Sequence, residues 1–554
     1  MKLIKFNFIF LFFLTLFFLV PFSRIFSVKF VDGHDFILHF RMIYILEKYL
    51  SEGILFPRWL SEATYGYGSP VFTFMWGVPY YLGALLHKFG LSYEYIFKIL
   101  LILPNLLSGI GCYLWLKSKY GKFAAFVSAV VFIWTPYRFL DTFIRNAIGE
   151  LFFFAFLPFI FFFLDKAKNK FSVVFGSIFC ALLIYSHQGL SLFGYPILIV
   201  YILLQYLEKK KPNIFINQIF ILIGGLLLTC FYWLPVIINQ HLLPIAEGKS
   251  KSIWFPPLLS LIRSKWEGWS VFNGKMIIMS FQIGLTQLSI ILLSHLYTLF
   301  LFLKKKKIPV MLLFWLFLFW LSIFFLQPIS KWTWINIPLI INLQFPYRLL
   351  FIHMFSSAVI LGILLTSIKK KNWKYFIGIL FLLAVIVANR NHLIVQNKEI
   401  VVKELDNYEG TFDVGGEKLP KYVTLSEIEK EESLASPRME FLILSGKGEI
   451  QQEGREKFQS TAVVETKEKS ILKIRRIYFP GWEIYLNSRK LKESEFQKGN
   501  GVFISLPKGK FEIKAEYKDP PLVVLANIIS ILSFLYLLII LSYTCVKYRN
   551  QHTV

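Results

Sequence analysis

The chain has 554 residues, of which 56% are hydrophobic and 17% charged, and its mean hydropathy is +0.57. A soluble globule is roughly 45–50% apolar and about 25% charged, so a soluble enzyme, a disordered chain and a disulfide scaffold are excluded. Most of the net charge of +26 sits in short Lys clusters between apolar blocks, the positive-inside signature of membrane topology rather than a nucleic-acid footprint.

The first apolar block, 5–27, follows Lys2 and Lys5 and reads as a signal anchor or a cleaved signal peptide. Further blocks lie near 96–116, 121–136, 147–164, 171–186, 188–207, 216–236, 282–303, 308–326, 345–366, 373–389 and 522–546. Each is long enough to cross, or nearly cross, a ~30 Å hydrocarbon layer. The expectation is a polytopic α-helical membrane protein of about twelve spans. Alternating them puts the clusters at Lys117–Lys122, Lys166–Lys170, Lys209–Lys211, Lys304–Lys307 and Lys369–Lys374, and both termini, in the cytoplasm. The cell membrane is the expected location. Residues 70–87 are apolar but broken by Pro70 and Pro79. They read as a helix in the outer interface, with an extra crossing as the alternative.

Three regions follow: a membrane domain over 1–389 with an outer loop at 28–95, an extracytoplasmic domain over 390–521, and a last span with its tail over 522–554. The extracytoplasmic domain is polar and alternates in ILKIRRIYF, WEIYLN, GVFISLP and KFEIKAEY, with turn residues at Asn487-Ser488 and Lys508-Gly509. That pattern predicts a small antiparallel β-sandwich or sheet. Cys112, Cys180, Cys230 and Cys545 lie in apolar blocks without CxxC spacing and read as core residues.

Ionisable residues gather on the outer side. Asp32, His34, Asp35, His39 and Arg41 fall within ten residues. They suit a divalent cation or a general base, and equally a solvated loop. Arg138, Asp141 and Arg145 are spaced i, i+3, i+7 and predict one helical face, with Glu150 a turn inside the next block. Two guanidiniums there suit a phosphate clamp, or else an interfacial ion-pair network. Glu150 needs a role or a partner at that depth. His187 opens a span from outside, as does Arg348, a further candidate phosphate ligand. Arg58-Trp59 suits a lipid head group or an aromatic anchor. The Tyr478-to-Trp482 turn suits a stacked sugar or a β-sandwich corner.

Together, HD with His39 and Arg41, LFPRW, GYGSPVF, PYRFLD, RNAIGE, SHQG, LQFPYRLL and YFPGWEIYLN resemble a bacterial family of multi-pass membrane proteins labelled "6-pyruvoyl-tetrahydropterin synthase-related". No three-His zinc site of a pterin synthase is present in the sequence. More broadly, the layout resembles the GT-C superfamily of membrane glycosyltransferases. That likeness implies a sugar carried on polyprenyl phosphate, a glycan, lipid or protein acceptor, and a role in cell-envelope glycan modification. It matches Asp35 to the acid of the first outer loop, with Asp141 and Glu150 as candidates for a second. Arg138, Arg145, Arg348 and Arg58 would hold the lipid phosphate. Mg or Mn is the candidate cofactor, with His34, Asp35 and His187 as its ligands. The alternative is a non-catalytic carrier or assembly factor for envelope lipids or glycans. No nucleic-acid partner is expected.

Overall fold

The computed structural model describes residues 8–244, 253–264, 279–337, 340, 342–398, 419–434 and 439–550. Lys2, Lys5 and parts of the 237–281, 327–344 and 390–521 segments lie outside them. Among the described residues, every apolar block of the sequence is largely helical. In chain order the helices are α1 (Phe8–Leu19), α2 (Phe36–Ser51), α3 (Val71–Phe74), α4 (Val78–Lys88), α5 (Tyr93–Tyr120), α6 (Lys122–Ile133), α7 (Pro136–Phe139), α8 (Ile148–Asp165), α9 (Lys170–Ser186), α10 (Gln188–Lys209), α11 (Pro212–Leu228) and α12 (Cys230–Asn239). There follow α13 (Leu258–Ile262), α14 (Leu285–Leu303), α15 (Val310–Phe325), α16 (Lys331–Asn336), α17 (Leu350–Ser367), α18 (Lys371–Asn389), α19 (Leu425–Leu434) and α20 (Pro521–Asn550).

Seven of the described helices are long and apolar enough to span a membrane, or up to ten if each bent pair is one span. The expectation of about twelve also counts two shorter apolar helices, Thr15–Ser27 and Lys170–Ser186. The three bent pairs break at identifiable places. α6 stops at Ile133 and the chain resumes at Pro136 with a 49° bend; proline lacks the amide that would continue the ladder, and its fixed φ suits the first position of a new helix. The stretch at 70–87 is two short helices, and α4, at 11 residues, reaches only about 16 Å.

Two helices form the centre. Over an 18-residue apolar window, 89% of the residues of Pro346–Ser367 and 78% of those of Ile148–Asp165 are buried, against 22% for Pro521–Val546. α8 packs between α5 and α9, and α17 against α6, α14 and α15. Cys112, Cys180 and Cys230 are buried as expected, whereas Cys545 is exposed, because it lies on the peripheral α20.

Beyond the helices lies the β domain. Its strands are β3 (Phe441–Ser445), β4 (Gly448–Arg455), β5 (Gln459–Thr466), β6 (Ser470–Ile474), β7 (Trp482–Leu486), β8 (Arg489–Lys490), β9 (Phe496–Gly499), β10 (Gly501–Leu506) and β11 (Gly509–Tyr517). They form two antiparallel sheets, of order β3-β6-β10-β9 and β4-β5-β11-β7-β8. Register pairs Leu472 with Ile504 and Ala462 with Ile513, all buried. Asn487 and Ser488 take positive φ (48° and 64°) in the tight β7–β8 turn.

The domain and the 28–95 loop meet at one end of the helices. Strand β1 (Phe30–Val31) pairs with β2 (Asn397–Lys398). Trp59 packs against Trp482 and Tyr517, at 5.3 and 6.0 Å. The Lys clusters at 117–122, 166–170, 209–211, 304–307 and 369–374 all fall at the other ends of the helices.

Candidate functional site

The site is built where α8, α10 and α17 begin. After α7 the chain makes a turn of π-helix, Leu140–Arg145, and ends it with Asn146 at φ 53°. Asn tolerates this left-handed conformation better than most residues. The reversal brings α8 back beside the π-turn, so Glu150 faces Arg145. Arg145 Nη1 donates to Asp141 Oδ1 (2.5 Å) and Nη2 to Glu150 Oε1 (2.8 Å). From the 3-10 turn Pro346–Leu349 that leads into α17, Arg348 Nε donates to the same Glu150 oxygen at 2.9 Å. Tyr137 Oη donates to Glu150 Oε2 at 2.7 Å. Two carboxylates and two guanidiniums thus neutralise one another in a buried cluster, the form in which charge survives inside a bundle.

Arg138 is not part of this cluster. The expectation of one helical face fails because the wider π-turn changes the angular spacing between Arg138 and Arg145. Arg138 points the other way, donating to Asn105 Oδ1 (2.9 Å) with its guanidinium over the Phe132 ring at 4.5 Å. Arg58 also stands apart: it donates to the Phe231 carbonyl (2.9 Å) and Asn527 Oδ1 (2.8 Å) and braces the loop to α12 and α20.

Asp35 comes to the cluster through the backbone. The His34 amide donates to the Ile144 carbonyl and the Asp35 amide to the Arg145 carbonyl, both at 3.0 Å. Gly33 allows the approach, since a Cβ there would strike the Asn146 side chain. Asp35 itself is half-buried at the start of α2, and its carboxylate caps no helix amide. His39 lies one turn on, wholly buried, with Nδ1 2.9 Å from Tyr80 Oη. Burial pushes its pKa down to about 4, against a smaller upward pull from Asp35. Burial also lowers the pKa of His34.

His187 caps α10: the Leu190 amide donates to its Nδ1 at 3.1 Å, which places the proton of the neutral ring on Nε2. The ring stacks on Trp76 at 4.7 Å. Trp76 in turn lies over Gly149, where a Cβ would sit 2.6 Å from the indole. The His187 cap, Trp76 and the start of α8 are therefore one packed unit.

Beside this unit opens a cavity of about 450 Å³. His187, Gln188, Gln240, Asn342, Gln344 and Arg348 line its polar end, and mostly apolar side chains of α10, α11 and α12, with Phe74, Trp76, Ile184 and Leu243, line the rest. Arg348 Nη1 donates to the Leu343 carbonyl and Gln344 Oε1, and among the described residues Nη2 makes no hydrogen bond. Sequence reasoning did not single out Gln188, Gln240, Asn342 and Gln344, which carry no charge, although Gln188 and Gln344 stand within the SHQG and LQFPYRLL motifs.

Among the described residues no three His, Cys, Asp or Glu side chains gather into a ligand set. His34, Asp35 and His187 are no exception, because His187 is held on Trp76 and against the α10 amide. The Tyr478-to-Trp482 turn is buried, with Trp482 against Trp59 and Phe479 against Phe74 at 6.0 Å. It joins the β domain to the loop and presents no open aromatic face.

No family model matches the chain, and no curated protein does, so the family resemblance stands on its motifs. The chain is similar in structure to the Archaeoglobus fulgidus oligosaccharyltransferase complexed with Zn and sulfate, at 15% identity and a TM-score of 0.42 over 74% of this chain and 58% of that one. It is likewise similar to the archaeal oligosaccharyltransferase AglB of Archaeoglobus fulgidus in complex with an inhibitory peptide and a dolichol-phosphate, at 14% identity, TM-score 0.41, over 74% of this chain and 60% of that one. The chain thus spans about three-fifths of those proteins, and likeness at this level transfers no residue role.

Proposed function

We propose that the protein is a membrane glycosyltransferase of the GT-C kind, taking a sugar from a polyprenyl-phosphate donor at the outer face and handing it to an envelope glycan, lipid or protein. The observation that carries this reading is one juxtaposition. An accessible carboxylate, Asp35, is stitched to the Arg145–Glu150–Arg348 cluster, and the cluster borders a cavity that is polar at one end and apolar along its length.

In this reading Asp35 takes the proton of an acceptor hydroxyl as its oxygen attacks the anomeric carbon. The bond from that carbon to the phosphate oxygen breaks, and its electron pair leaves on the lipid phosphate, with inversion at the sugar. Arg348 Nη2 and His187 Nε2–H stabilise the departing charge. Glu150 and Asp141 are acceptors that hold Arg145 and Arg348 in place, and Arg138 and Arg58 are braces. The test supplies purified full-length protein with radiolabelled polyprenyl-phosphate sugars and envelope glycans. Label transfer by the wild type, lost about 100-fold or more in Asp35→Asn, is expected. Donor binding without transfer in either protein would instead identify a carrier.

A further inference from the structure

The polar end of the cavity holds more than the two groups assigned to the phosphate. Among the described residues that line it there is no Asp, Glu or Lys, and Arg348 is the only Arg; Gln188, Gln240, Asn342 and Gln344 are uncharged amides. They come from separate parts of the chain. Gln188 opens α10, Gln240 follows α12, and Asn342 and Gln344 lie just before Arg348. Gly189 lets the 342–344 segment close on α10, since a Cβ there would stand 2.9 Å from the Asn342 carbonyl.

An amide side chain has an acceptor at one corner and a donor at the other, so the corner that is already bound decides which one is left to offer. Tyr232, buried on α12, donates its hydroxyl to Gln188 Oε1. That leaves Gln188 Nε2 as a donor. Asn342 Nδ2 donates to Gln240 Oε1 at 3.2 Å, which leaves Asn342 Oδ1 as an acceptor and Gln240 Nε2 as a donor. Among the described residues none of these three remaining atoms makes a hydrogen bond. A phosphate has no use for the acceptor, and a hydrocarbon chain has no use for any of the three. A ring that carries several hydroxyls uses them all, because each hydroxyl both donates and accepts.

We propose that Gln188, Gln240 and Asn342 read the sugar, and that the sugar they accept is an uncharged hexose rather than an amino sugar or a uronic acid. An ammonium group finds no carboxylate in the lining. A uronate would compete with the phosphate for Arg348, the one guanidinium there. A charge brought into such a site without a partner costs more than neutral hydroxyl contacts return. The proposal rests on the glycosyltransferase reading, which sets a phosphate on Arg348 with a sugar beside it.

The experiment measures the affinity of purified full-length protein in detergent for radiolabelled farnesyl phosphate diesters. Farnesyl methyl phosphate has the chain and the single negative charge of a farnesyl phosphoryl sugar but no sugar, so the ratio of the two affinities isolates the sugar contacts. The sugar esters are those of glucose, galactose and mannose, each also as its amino sugar and its uronic acid. At least one uncharged hexose should bind about tenfold or more tighter than the methyl ester, and the charged forms no tighter than it. The double variant Gln240→Met with Asn342→Leu replaces both members of the amide pair, so neither is left without a partner. Its hexose gain should fall to about threefold or less while methyl ester affinity stays as wild type. Gln188→Glu keeps an acceptor for Tyr232 and puts a carboxylate in place of the donor; there the amino sugar should bind tighter than its parent hexose. No hexose gain in the wild type, a charged sugar that binds as tightly as its hexose, or a full hexose gain in either variant would each overturn the proposal. The two claims fail separately. A hexose gain that is lost in the variants, with no label passed from any donor to envelope glycans, keeps the sugar contacts and removes the transferase. Transfer that continues unaltered in the variants, or that proceeds from charged sugars, keeps the transferase and removes the sugar assignment. A wild type that binds neither the methyl ester nor any sugar ester loses both.

Discussion

The carboxylates of the site differ in what surrounds them, and that difference predicts different failures. Glu150 Oε1 receives Arg145 and Arg348 and its Oε2 receives Tyr137. Glu150→Gln leaves two buried guanidiniums short of a counter-charge, which typically costs about 3–5 kcal/mol. We expect its melting temperature to fall sharply and activity to fall with it. Asp35 is half-buried and holds no helix amide, so Asp35→Asn should melt as wild type while activity drops. An Asp35→Asn protein as unstable as Glu150→Gln would make Asp35 a structural residue. His39 adds a pH signature. Its folded pKa of about 4 lies below the usual 6.5, so as pH falls below 6.5 the unfolded chain takes up a proton that the folded one refuses. Stability contributed by the neutral ring is whole above pH 6.5 and is lost toward pH 4, by roughly 3 kcal/mol in all. His39→Gln keeps a partner for Tyr80 and cannot titrate. Its melting temperature should decline less than that of wild type between pH 7 and pH 5; parallel declines would show that His39 is not the group.

At the scale of elements, the site depends on helix ends that pack with no spare volume. Gly149→Ala places a methyl against Trp76 and the Ser186 carbonyl, 2.6 and 2.7 Å away. Overpacking of this kind costs about 1–3 kcal/mol. Because Trp76 carries the His187 ring, the variant should also lose phosphate-lipid affinity, by more than its drop in melting temperature explains. Equal affinity in a destabilised protein would separate Trp76 from the site. The elements were largely legible in the sequence, because a span announces itself by twenty apolar residues and β6, β7, β10 and β11 by alternation. β4 was not: GEIQQEGR is an exposed edge strand with almost no buried side, so it lacks the alternation that marks a half-buried strand. The π-turn was not legible either. Local spacing gives Arg138, Asp141 and Arg145 one face, and only the tertiary position of Asn105 and Glu150 shows two. The candidate residues Asp35, Arg145, Glu150, Arg348 and His187 were visible as charge near apolar block ends. Their pairing was not, since Arg348 and Glu150 are 198 residues apart in sequence.

For the whole molecule, the loop at 28–95 and the β domain act as one body over the helix ends, and this ties orientation to function. Trp59 is wholly buried between Trp482 and Tyr517, and Arg455 reaches the Ser61 carbonyl at 3.2 Å and the Gly66 carbonyl. Trp59→Ala removes the central ring of that contact, at about 3–5 kcal/mol for a buried aromatic. The β domain should then become cleavable by protease at levels that leave the wild type intact. The Lys clusters occupy the opposite helix ends, and positive residues are retained in the cytoplasm. We therefore predict that loop, domain and site all face outward. Ser51 and Ser488 are exposed on the loop and the domain, and Lys210 is exposed at the opposite end. Single cysteines at these positions, in a background lacking the four native ones, should divide cleanly. An impermeant thiol reagent applied to intact cells should label Ser51→Cys and Ser488→Cys and spare Lys210→Cys. Labelling of Lys210→Cys alone would invert the protein and place the site in the cytoplasm, where the acceptor is not an assembled envelope polymer. Labelling of only one of Ser51→Cys and Ser488→Cys would be harder to reconcile with any orientation, because β1 and β2 are hydrogen-bonded partners and cannot stand on opposite sides of a bilayer.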